Sequence, residues 1–190
     1  MDAAAGVRIF AALGLLLLLA GCAAPPADFS GAGPAFDPVA FFTGHVTSLG
    51  VEENRSGQPS AIVRTDCEGT ATGPNSIRMV QVLHIGNAKA VTRIWRLTRT
   101  GQDRYTATAN DMAGDTVGSA NGPEFHWRWV LKTHARDPLL NVTLSQWMYC
   151  MSGGEVMIRT VVTKFGFTVA EVSKVFRKAG TNQASAGALP

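Results

Sequence analysis

Of the side chains able to bind or react, Arg93 has the most constrained surroundings. In the run Val91-Thr92-Arg93-Ile94-Trp95-Arg96-Leu97 it shares a strand phase with Val91, Trp95 and Leu97, so an inward Trp95 brings the guanidinium inward with it. A guanidinium stays charged, and burying it unpaired is prohibitive. An inward Arg93 must therefore meet a carboxylate of the protein, with Glu68, Asp111 and Glu171 as candidates, or one of a ligand, unless a bulge turns it to water. The ligand alternative makes Arg93, Trp95, Trp127 and Trp129 a candidate binding set, an anionic head on the guanidinium and an apolar tail against the indoles.

Other reactive groups give weaker signals. The chain has three cysteines, Cys22, Cys67 and Cys150. Cys67 and Cys150 lack a CxxC spacing, which leaves a disulfide in an oxidising compartment or two buried thiols. His45, His84, His126 and His134 fall on different expected elements with no ligand-like spacing, so no metal centre is expected. Asp111 and Asp115 flank a glycine-containing turn, where capping is the ordinary role. HExxH, GxSxG and P-loop motifs are all missing, no cofactor is expected, and the reading leans against an enzyme.

Cys22 is set apart by what precedes it. One basic residue, Arg8, is followed by an apolar segment from Ile9 to Leu19 and then by Ala20-Gly21-Cys22. This is the order of a secretory signal, and about eleven apolar residues fall short of the roughly twenty that span a bilayer. The Leu19-Ala20-Gly21-Cys22 stretch resembles the lipobox of bacterial lipoproteins, which implies cleavage before Cys22 and a diacylglyceryl group on its thiol. Ala23 after the cysteine resembles the outer-membrane sorting pattern, so the expected location is the cell envelope, on the periplasmic face of the outer membrane.

The elements that must position these groups are short strands. The Ala- and Pro-rich stretch to Pro34 suits a mobile tether with a reach of about 20 Å. Asp37-Pro38 predicts one helical turn over Pro38 to Phe42. Thereafter turn chemistry divides the chain into about ten β-prone runs, from His45 to Lys178. The clearest is Glu124 to Lys132, where Phe125, Trp127, Trp129 and Leu131 alternate with polar neighbours. The spacing predicts an all-β fold: an up-and-down, lipocalin-like barrel of about ten antiparallel strands, with a two-sheet sandwich as the alternative. The expected division is a signal peptide at 1–21, the acylated cysteine and tether at 22–36, the barrel at 37–178 and a disordered tail at 179–190. A formal charge of +3 from 17 Lys+Arg against 14 Asp+Glu, scattered along the chain, excludes a nucleic-acid footprint.

Six segments carry a family resemblance: Phe41-Phe42-Thr43-Gly44, Arg55-Ser56-Gly57, Arg93-Ile94-Trp95, Tyr105 with Asp111 and Gly114, Trp147-Met148-Tyr149, and Lys164-Phe165-Gly166-Phe167. In these the chain resembles an uncharacterised family of proteobacterial lipoproteins, a domain of unknown function. The resemblance implies an envelope lipoprotein with a lipocalin-like barrel and supplies no activity. Cys67 departs from it, standing where a bulky apolar residue is expected. Two functions are weighed first: a module binding a small apolar or anionic amphiphilic ligand such as a fatty acid, and a lipoprotein with a filled barrel that contacts envelope partners. An enzyme of undefined type ranks third.

Overall fold

The computed structural model describes residues 30–134, 137–151 and 154–179. The signal segment, Cys22 and the tail from 180 lie outside the described residues. One short helix, α1 (Pro38–Phe42), is followed by ten strands: β1 (Gly44–Asn54), β2 (Pro59–Gly73), β3 (Ser76–Ile85), β4 (Val91–Arg99), β5 (Arg104–Ala109), β6 (Thr116–Asn121), β7 (Glu124–Leu131), β8 (Val142–Cys150), β9 (Val156–Lys164) and β10 (Phe167–Lys178).

Each strand pairs antiparallel with the next, and β1 pairs with β10 to close the cylinder. Closure leaves no unpaired edge and excludes the sandwich. A three-residue 3-10 turn at Pro138–Leu140 takes Leu140 out of β8, whose inward residues are Val142, Leu144, Gln146, Met148 and Cys150.

The helix forms because the Asp37 carboxylate accepts from the backbone N–H of Val39 at 2.9 Å and of Ala40 at 3.3 Å, ahead of a proline that needs no donor partner. It buries Pro38, Val39 and Phe42 against the ends of β2, β3 and β4, and Phe42 meets Phe176 edge-on at 5.4 Å. Gly69 permits this seat, since a Cβ there would overlap the Phe42 carbonyl. The first and last strands meet at this end, where the Ala179 N–H donates to the His45 carbonyl. The up-and-down order therefore puts the hairpin between β9 and β10, with those after β1, β3, β5 and β7, at the opposite end.

Above the helix lies an aromatic core of Phe36, Phe42, Tyr105, Phe125 and Phe176. Next come the tryptophans: Trp95 stacks on Trp127 at 5.1 Å with 14° between planes and meets Trp129 edge-on at 5.1 Å. At roughly 1.5 to 3 kcal/mol for each large apolar side chain buried, these layers supply the main driving force for closure.

Candidate functional site

Beyond the indoles the interior turns polar. Gln146 Oε1 accepts from Trp127 Nε1 at 2.7 Å and from Trp129 Nε1 at 2.9 Å, while its Nε2 donates to Thr160 Oγ1 at 2.9 Å. Gln81 Oε1 accepts from Trp95 Nε1 at 3.2 Å, and its Nε2 reaches the Cys67 thiol at 3.7 Å. Every buried indole N–H thus has an acceptor, as a dry core requires.

Arg93 points inward, as its strand phase predicts, and its partner is Asp111. Nε donates to Oδ1 at 2.9 Å and to Oδ2 at 2.7 Å, and the guanidinium carbon lies 4.7 Å from the Trp129 ring centroid. Of the acids considered, Glu68 stays exposed on the outer face of β2, and Glu171 accepts from Arg159 Nη2 at 2.7 Å. The charge of Arg93 is therefore met within the protein, by one of the three acids named as candidates, and not by a ligand.

Among the described residues, Lys174 is the buried cation without a carboxylate partner. It alternates with Phe176 on β10 and is buried. Gly50 of β1 lies opposite, where a Cβ would overlap that of Lys174, so a glycine makes room for the lysine. Its Nζ donates to Thr65 Oγ1 at 3.1 Å and lies 4.8 Å from the Phe176 ring centroid, and no carboxylate pairs with it among the described residues. Burial pulls its pKa down to about 8, with Arg93 acting in the same direction. Ser48 faces Thr65 across the β1–β2 ladder, and its buried Oγ has no hydrogen-bond partner.

Lys174 lines a cavity of about 50 Å³, whose polar wall residues are Gln81, Arg93 and Gln146 beside it and whose remaining wall is apolar, with Met79, Leu83 and Ile158 among its residues. Trp95 and Trp127 line it as well, whereas Trp129 does not. The space is enough for a few water molecules or a small polar head. From there toward the end opposite α1 the inward positions become aliphatic and half-buried: Leu131, Val142, Val162 and Val172.

Cys67 and Cys150 are separate free thiols, on β2 and β8 with three strands between them by the shorter path, so of the two alternatives the structure has the thiols and not the possible disulfide. Burial raises Cys67 to about 11, leaving it a neutral thiol at ordinary pH. The histidines do not converge. His45 hydrogen-bonds Asp66 at 3.0 Å on the outer face, an interaction that raises its pKa. His126 stacks on Trp147 at 4.6 Å, and burial lowers its pKa. Among the described residues no group of three or more His, Cys, Asp or Glu is placed to hold a metal.

Sequence reasoning missed Lys174, Thr65, Gln81 and Gln146. A signal was present for the glutamines, since Gln81 sits in phase between Met79 and Leu83, and Gln146 between Leu144 and Met148.

Residues 16–178 match the model of the family described as "Protein of unknown function (DUF3833)". No curated protein matches the chain. Among solved structures the fold is similar to that of the S-type phycobiliprotein lyase CPES from Guillardia theta, with a TM-score of 0.55 at 11% identity over 74% of this chain and 90% of that one.

Proposed function

The chain belongs to the DUF3833 family of proteins of unknown function, and on the make-up of its barrel interior we propose that it is a lipid-anchored envelope lipoprotein that binds a small amphiphilic molecule. The observation that carries the binding reading is a cavity inside a closed barrel, where Lys174, Arg93, Gln81 and Gln146 interrupt a mainly apolar wall, approached through half-buried aliphatic side chains. That order suits a molecule with a polar head and an apolar chain. The similar lyase fold is compatible with such a use of the barrel and assigns no ligand to this chain. Native mass spectrometry of the domain purified without detergent tests the reading. An adduct of a few hundred daltons that dissociates on collisional activation supports it, and bare protein after incubation with a mixture of short- and medium-chain fatty acids and alcohols overturns it.

The anchor reading rests on Leu19-Ala20-Gly21-Cys22. Radiolabelled palmitate incorporated by the wild type and lost in Cys22→Ala supports it, whereas label retained in the variant would contradict it. Separation of inner and outer membranes then checks the outer-membrane location.

Contact with an envelope partner is favoured by one observation. Phe165 and Phe167, on the β9–β10 hairpin, are 73% and 75% exposed.

A further inference from the structure

We propose that the barrel interior is a receptor for a monoanion with a carboxylate head, that Lys174 with Gln81 forms the head-group site, and that Arg93 does not. This rests on the amphiphile reading and names the chemistry of the head.

The charges inside the barrel do not balance. Among the described residues Arg93 and Lys174 are the buried charged side chains, and the carboxylate paired in the interior is that of Asp111, its side chain 19% exposed. Arg93 and Asp111 cancel, which leaves one positive charge beside the cavity. Burying an ammonium that has only a hydroxyl to bind is costly unless an anion joins it. A single negative charge balances the interior, while a phosphate monoester, carrying close to two near pH 7, reverses the imbalance.

Donors are left over in the cavity wall. An ammonium has three N–H bonds, and Thr65 uses one from Lys174. The Gln81 amide, with two N–H bonds, makes one weak contact to a thiol. Gln146 Oε1 already holds two indoles and Gln81 Oε1 one. A charged donor with two N–H bonds to spare, beside an amide that also donates, suits a carboxylate better than an alcohol or an amide, because hydrogen bonds between two charged groups are the stronger. The cavity of about 50 Å³ accommodates the head, and the chain runs past Leu83 toward Val172.

The test titrates octanoate and octanol, equal in chain length, against the mature domain and follows tryptophan fluorescence. Wild type is expected to bind octanoate the more tightly. Lys174→Met is expected to weaken octanoate by about tenfold or more and to leave octanol within about twofold. Equal loss for both probes, or no loss for octanoate, overturns the carboxylate site while leaving amphiphile binding intact. Failure of both probes on wild type overturns the site and the binding reading together. Should Lys174→Met not fold, carboxyl-labelled octanoate on the wild type decides by NMR: its carboxyl stays ionised below the pH range in which free octanoate protonates, and titration in the ordinary range overturns the site.

Discussion

Arg93 Nε lies between the two carboxylate oxygens of Asp111, 2.9 Å from one and 2.7 Å from the other, with Arg93 on β4 and Asp111 in the loop that follows β5. The pair ties that loop to the barrel interior. Because the Arg93 side chain is 9% exposed, loss of the carboxylate strands a desolvated guanidinium over Trp95 and Trp129. Asp111→Asn is expected to lower stability by about 3 kcal/mol in urea unfolding. Adding Arg93→Met to it should restore part of that loss, since the stranded charge goes with it. An Asp111→Asn protein as stable as wild type would show that the pair contributes nothing.

Lys174 links stability to pH. Its pKa in the folded barrel is about 8 against an ordinary 10.5, so from about pH 8 upward the folded state sheds a proton that the unfolded chain keeps. Stability therefore rises with pH across that window, and below it the full cost of burying the charge applies. Cys67 acts with the opposite sign at higher pH: its thiol, raised from 9.0 to about 11, holds its proton in the fold after the unfolded chain has lost it. The interval from pH 8 to 9 isolates the lysine. Lys174→Met is expected to be the more stable at pH 7, by roughly 3 kcal/mol at most, with an advantage that shrinks by about 1 kcal/mol between pH 8 and 9. A pH-independent difference would contradict the buried, unpaired ammonium.

Phe165 has φ +50° beside Gly166 at +84°, so both residues of the β9–β10 turn are left-handed. Asparagine and glycine are the residues such a turn favours. A phenylalanine there costs about 1 to 2 kcal/mol, and 73% exposure returns little burial against that cost. Phe165→Asn is expected to raise stability by about 1 kcal/mol. Thermal unfolding checks this, and a lower midpoint for Phe165→Asn would mean that the ring packs more than its exposure indicates.

Most of the fold was legible because strand alternation and turn residues are local. Glu124 to Lys132 shows its inward face in its residue types alone, and the helix boundaries, Pro38–Phe42, are those expected from the sequence. Barrel and sandwich were not separable in this way, since closure depends on β1 meeting β10 across more than a hundred residues. The site was half legible. Arg93 faces inward by phase, but its partner sits in a loop where no period applies. Lys174 was hidden because Val175 and Val169 lie in the other phase of β10, so the strand reads as apolar on both faces. The glycine opposite Lys174 was no help before the register was known.

The central claim is that an amphiphile binds inside the barrel, with its head beside the indoles of Trp95 and Trp127. The most direct measurement uses octanoate brominated at the carbon next to its carboxylate, because bromine quenches an indole only at near contact. Trp147, on the outer face against His126, is first replaced by Phe so that Trp95, Trp127 and Trp129 report. Saturable quenching by the brominated chain, competed by plain octanoate, is the predicted result. Quenching that grows linearly without saturation, or that plain octanoate does not reverse, would contradict a site within the barrel.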